Sequence, residues 1–205
     1  MGWVMKQYKI IAIFGIFTLC FISHFAYDIL PNFIFSILFP VNESIIEHMK
    51  IIFTSYLLYG LIDYFLIKKY RPNNFVLQLF LVPLISIVLY LIIYIPLFNN
   101  FGEKMFISIS LLFIIIIISQ IISYYILNYK EIKYQKFIGT IGIILVYILF
   151  FYITYYPPIH YLFKDFTNNT YGILKTTYFL CSFLGINPIY INANSNYRAV
   201  GIALY

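Results

Sequence analysis

Apolar runs long enough to cross a bilayer recur along this chain. Two of them, Phe75 to Leu97 and Met105 to Leu127, contain no charged residue. A helix needs roughly 20 apolar residues to span a hydrocarbon core of about 30 Å. The runs are continuous and show no alternation of polar and apolar residues, which argues against a membrane β-barrel. In lipid every backbone polar group must be paired internally, so helices are the remaining solution. Composition agrees: 63% of the 205 residues are hydrophobic and 10% are charged. A soluble domain of this length could not hide so much apolar surface. The sequence therefore predicts an all-α integral membrane protein, with residues 1–205 forming one bundle of about six transmembrane helices.

The expected spans are Tyr8 to Ser23, Asn42 to Ile67, Phe75 to Leu97, Met105 to Leu127, Phe137 to Tyr155 and Gly172 to Ile191. The first follows Lys6 and Lys9 but precedes His24, Phe25, Tyr27 and Asp28 instead of a small-residue cleavage site, and so reads as an uncleaved anchor. Asn42 is placed to cap the second span, whose first two turns, Glu43 to Lys50, are polar. Pro83 is positioned to kink the third. Between Pro31 and Pro40, residues 32–40 are apolar but too short to cross, which predicts an interfacial or re-entrant segment. Cys20 and Cys181 lie within apolar runs and read as packing residues.

Basic residues outnumber acidic ones, 13 to 7. They sit in short clusters between apolar runs, as cytoplasmic loops do, which argues against a nucleic-acid partner and for membrane lipids. With the N-terminus inside, the inner segments carry Lys6, Lys9, Lys68, Lys69, Arg71, Lys130, Lys133, Lys136 and Arg198. The outer ones carry only Lys50, Lys104, Lys164 and Lys175. The expected location is the cell membrane, with both termini cytoplasmic.

That orientation gathers polar residues at the outer side. His24, Asp28, Asn42, Glu43, Ser44, Glu47, His48, His160 and Asp165 all fall there, with Glu103 further off. Ionisable groups near a membrane are costly unless they are wet, paired or metal-bound, so their clustering marks a candidate site. On a helix, Glu43, Glu47 and Lys50 would form one stripe, with Ser44 and His48 beside it. Three histidines with carboxylates suffice to hold zinc or another divalent metal. The candidate ligands are His24, His48 and His160, with Asp28, Asp165 or Glu47 completing or orienting the set. Glu43 is the candidate base, and Glu47 and Ser44 are the other candidate catalytic groups. Each feature also has a plainer reading. Glu47 can pair with Lys50, His24 with Asp28, and His160 can be an ordinary loop residue. Asp63 can pair with Lys68 or Lys69 at the inner surface.

The segment Phe39-Pro40-Val41-Asn42-Glu43-Ser44 to Lys50 resembles a Pro-Val-Asn-Glu-Ser-x-x-Glu-His-x-Lys motif. That motif marks a family of uncharacterised multi-pass membrane proteins from bacteria, mainly Firmicutes. His24-Phe25-x-Tyr27-Asp28 is similar to a second element of that family. The stretch from Pro157-Pro158-x-His160 through Asp165 to Thr170-Tyr171-Gly172-Ile173 is similar to a third. Phe166-Thr167-Asn168-Asn169 departs from the Pro- and Gly-containing turn of that pattern. The resemblance implies a membrane bundle and no assigned activity. There is also an analogy to ceramidase-like membrane hydrolases, which join three histidines, a serine and an aspartate around zinc. This chain has those residue types in His24, His48, His160, Ser44 and Asp28, but it lacks their His-x-x-x-His pair and has one span fewer.

Three functions follow as alternatives. The first is a metal-dependent hydrolase or transferase acting at the outer face on a lipid or lipid-linked substrate. The second is a cation- or solute-binding transport protein. The third is a structural or accessory membrane subunit.

Overall fold

The computed structural model describes residues 2–70, 72–173 and 191–192. Six α-helices dominate it: α1 (Gly2–Ile29), α2 (Phe33–Leu38), α3 (His48–Ile67), α4 (Phe75–Phe101), α5 (Met105–Asn128) and α6 (Gln135–Tyr155). All but α2 are long and apolar enough to cross a membrane. The five correspond to the first five expected spans; the sixth, Gly172 to Ile191, lies almost wholly outside the described residues, as does Cys181. Three two-residue strands, β1 (Lys164–Asp165), β2 (Thr170–Tyr171) and β3 (Ile191–Asn192), form a small antiparallel sheet in that order.

The helix boundaries have local causes. α1 stops at Ile29, just before the Leu30-Pro31 pair, because a residue preceding proline is pushed out of the helical region. The side chain of Asn32 caps α2 by accepting from the Phe35 N–H at 3.0 Å, and Phe39 ends it in an extended conformation before Pro40. With six residues α2 is about 9 Å long, too short to cross. α4 continues past the expected Leu97 to Phe101 and contains both Pro83 and Pro96.

α3 is the central element. Met49 through Tyr56 are buried without interruption on it, whereas the other helices bury a single stripe. α1 packs between α3 and α5, and α4 packs against α3, α5 and α6. α4 and α6 approach closely at Gly139, where an added Cβ would lie 2.6 Å from the carbonyl carbon of Val76. The outward faces carry large exposed apolar side chains on every long helix, including Phe14, Phe65, Ile92, Ile118 and Leu145. Only a lipid environment leaves so much apolar surface without cost.

The helices alternate in direction. The N-terminus therefore shares one end of the bundle with the α3–α4 and α5–α6 connections. There Asn74, in the left-handed region at φ 53°, donates to the carbonyls of Ile126 and Lys130 and accepts from the Ile132 N–H. That end also holds a membrane-embedded ion pair. Asp63 is 2% exposed and pairs with Lys9 of α1 instead of the neighbouring Lys68 or Lys69. The reason is geometric: Asp63 faces the α1–α3 interface, while Lys68 and Lys69 lie in the 3₁₀ turn that follows α3. The histidines occupy the opposite end.

Candidate metal centre

A turn between α2 and α3 builds this site. The spacing of Asn42 predicts a helix cap, but its side-chain oxygen instead accepts from the N–H of Ser44 at 2.9 Å, forming a local turn. Its amide donates to the Gly172 carbonyl at 2.9 Å, and Ile46 N–H donates to Leu162 O at 3.1 Å, so the 156–173 loop braces the turn. Consequently α3 begins only at His48. Glu43 leaves the helical stripe that would have set it beside Glu47 and Lys50, and its carboxylate faces His48 and His24.

His24 Nε2 lies 3.7 Å and His48 Nε2 3.3 Å from the same oxygen, Oε2 of Glu43. The two imidazoles meet edge to face at 5.2 Å between centroids. One donor atom from each of the three residues fits within a 4.8 Å circle, and no other His, Cys, Asp or Glu group among the described residues does so. The opposite nitrogen of His48, Nδ1, lies 2.8 Å from the Ser44 carbonyl. A carbonyl only accepts, so Nδ1 carries the proton, and Nε2 of a neutral ring would turn a lone pair toward the Glu43 carboxylate. Either a second proton or a metal cation must fill that gap. The hydrogen bond with His48 holds the Glu43 carboxyl below its ordinary range, against the opposing effect of partial burial.

Glu47 sits elsewhere. Its Oε2 accepts from the Lys50 ammonium at 2.6 Å and from the Val41 N–H at 3.0 Å, while Oε1 accepts from Thr154 at 2.8 Å. Lys50 is fully buried and also donates to the Ser36 carbonyl at 2.7 Å and to the Thr154 hydroxyl. The sequence places Lys50 among outer surface charges; in the fold it is the hub joining α2, α3 and α6. Burial of its long apolar stem and the ring of acceptors around its ammonium make that possible.

The remaining candidates separate. Asp28 is exposed one turn beyond His24 on α1. Ser44 contributes its carbonyl to His48, while its hydroxyl accepts from the Glu47 N–H at 3.3 Å. His160 is exposed, its ring packed on Tyr161, and it accepts from the Leu162 N–H at 3.4 Å. Asp165 is fully buried and shapes the β1–β2 turn, accepting from the N–H groups of Thr167 and Asn168. Neither of these two stands with the histidine pair. The contribution of Thr154 had no signal in the sequence, being a single hydroxyl near the end of an apolar run.

Beside the His24–Glu43–His48 triad opens a cavity of about 530 Å³ between α1, α3, α4 and α5. Its walls are mostly apolar, and Glu103 from the α4–α5 connection lines it together with the triad. That size and character are typical of a small-molecule site. No curated protein and no solved structure matches this chain. A family of unknown function, DUF6512, matches residues 3–173, which take in all five membrane-length helices, the triad and the bracing loop, and the chain belongs to that family.

Proposed function

We propose that His24, Glu43 and His48 bind zinc or a similar divalent ion. On that reading the protein is a metal-dependent hydrolase or transferase acting on a lipid or lipid-linked substrate at the outer face of the cell membrane. The observation that carries this is the convergence of two imidazole nitrogens on one carboxylate oxygen at 3.3 and 3.7 Å. Ligands held 2.0–2.1 Å from a tetrahedral ion lie about 3.3–3.4 Å from one another, so each imidazole already stands near that spacing from the carboxylate. The Ser44 carbonyl fixes the tautomer and ring plane of His48, as partners of metal-bound imidazoles generally do. Two histidines and one carboxylate would leave a tetrahedral ion one further ligand to take up, and all three residues line the cavity.

A metal there would polarise a substrate carbonyl or phosphoryl oxygen and ease deprotonation of water. Glu43, the candidate base from sequence, becomes a ligand in this reading. Glu103, the other carboxylate lining the cavity, takes the role of base. The excess of basic residues at the opposite end of the bundle supports an outward-facing site.

The test is elemental analysis by inductively coupled plasma mass spectrometry on detergent-purified protein, wild type beside His48→Ala. The expected result is close to one metal ion per wild-type chain, lost in the variant. A wild type that stays metal-free after incubation with zinc overturns the proposal. The gap at Glu43 would then hold only a proton, and the cluster would be a structural clasp.

A further inference from the structure

We infer that the cavity beside the triad takes a single aliphatic chain of an amphiphile, which slides in from the bilayer between α1 and α5 and leaves its polar end at His24, Glu43 and His48. The identification of that end as the reacting one rests on the metal-centre reading; the chain site itself does not.

Three features converge. The first is the distribution of polarity. The ionisable groups lining the cavity, His24, Glu43, His48 and Glu103, belong to the bundle-end side of the site. The deeper wall, formed by Ile52 of α3, Tyr90 of α4 and Leu112 of α5, is apolar but for a tyrosine and a thiol, Cys20. A polar solute would find few partners on those walls, where the Ser108 and Tyr94 hydroxyls already bond each other, whereas a hydrocarbon segment would meet surface like its own.

The second is the rim. Phe21 and Phe25 of α1 and Met105 of α5 line the cavity yet are 43%, 55% and 76% exposed. Their exposed surfaces belong to two membrane-length helices, so the rim between them borders lipid. Deeper along the same pair of helices the seam is shut, because Phe17 packs edge-on against Phe113 at 5.0 Å. The gap between α1 and α5 is thus confined to the end that carries the triad.

The third is length. From Met105 at the rim to Leu112 at the base, the α5 wall rises through seven residues, about 10 Å at 1.5 Å per residue. One leaflet is about 15 Å deep. A chain lying in the cavity is therefore held over much of its length, and the end of a longer one returns to lipid through the α1–α5 gap. Past this base the Phe17–Phe113 contact closes the seam between α1 and α5.

The test uses tryptophan quenching. The chain has one tryptophan, so a Trp3→Phe background is silent. Leu112→Trp reports from the cavity base, Ile109→Trp from nearer the rim in case the deeper reporter disturbs packing, and Leu145→Trp from the lipid-facing side of α6. Each is titrated in detergent with 11-bromoundecanoic acid. The expected result is quenching at position 112 or 109 that saturates at one acid per chain and is reversed by unbrominated undecanoic acid. At position 145 quenching should rise linearly with the mole fraction of acid and resist displacement. Linear, non-displaceable quenching at all three positions overturns the chain site. The titration is repeated with His24→Ala/His48→Ala. Saturable quenching in cavity reporters whose triad is intact but binds no metal keeps the chain site and removes the metal centre; bound metal without saturable quenching does the reverse.

Discussion

Replacing Glu47 with glutamine should unfold this protein far more readily than its small change in shape suggests. The substitution keeps volume and most hydrogen-bonding capacity but removes the counter-charge of Lys50, which is 0% exposed. Its ammonium would keep the neutral acceptors Ser36 O, at 2.7 Å, and Thr154. Removing one partner of a buried ion pair costs about 3–5 kcal/mol, because the surviving charge stays desolvated. For a chain of this size each kcal/mol moves the unfolding midpoint by about 2–4 °C, so a fall of roughly 6–20 °C is expected. Thr154→Val removes the hydroxyl that bonds both charged groups but leaves the ion pair itself in place, and should cost about 1–3 kcal/mol. Glu47→Met combined with Lys50→Met should recover much of the loss, since well-packed apolar side chains often replace a buried pair without penalty. The assay is thermal unfolding in detergent with chelator present, so that bound metal does not contribute. A Glu47→Gln midpoint within about 2 °C of wild type would refute the reasoning. So would a variant that folds normally but loses metal, which would return Glu47 to the functional site.

Four further outcomes are expected. His160→Ala should leave metal content unchanged and stability within about 0.5 kcal/mol, because the side chain is exposed and away from the triad; loss of metal would place the 156–173 loop in the site. Lys9→Met should lower the unfolding midpoint by an amount similar to Glu47→Gln, since it strands Asp63 inside the bundle, and a neutral effect in the same thermal assay would contradict the pairing. Gly139→Ala should destabilise by about 1–3 kcal/mol, because the new methyl meets Val76 and Leu77 backbone, which cannot yield as a side chain can; unchanged thermal stability would deny the close approach of α4 and α6. The Glu43 carboxyl is held below its ordinary range in the folded state, so the stability it contributes in metal-free protein is present above the unfolded value near 4.3 and drains as pH falls through the lowered folded value. While His48 carries the second proton that this bond requires, the difference in midpoint between wild type and Glu43→Gln should therefore be largest above about pH 5 and shrink on acidification, and a difference that grows as pH falls would reverse the sign.

The membrane character of this protein was legible residue by residue. Uncharged runs such as Met105 to Leu127 admit no other backbone solution in lipid, and the prolines at 31 and 40 bracket a segment too short to cross. These are local properties: length, composition and hydrogen-bond accounting decide them without reference to the rest of the chain. The candidate triad was half legible, because His24, Glu43 and His48 stood among the polar residues assigned to one side. What separated them from Glu47, Asp165 and His160 was tertiary.

Asn42 can cap a helix or close a local turn with similar chemistry, and its bond to Gly172, 130 residues away, accompanies the turn. That choice delays α3 to His48 and turns Glu43 away from Lys50. Lys50 itself finds Thr154 across 104 residues, and Lys9 finds Asp63 across 54. A charge in lipid is driven to whichever partner the packing brings nearest, and no spacing along one helix encodes that partner. Sequence alone determined that the chain builds helices in a membrane and which end carries its histidines. The tertiary structure decided which carboxylate His24 and His48 share and that the space beside them has apolar walls, because both depend on how separate helices meet.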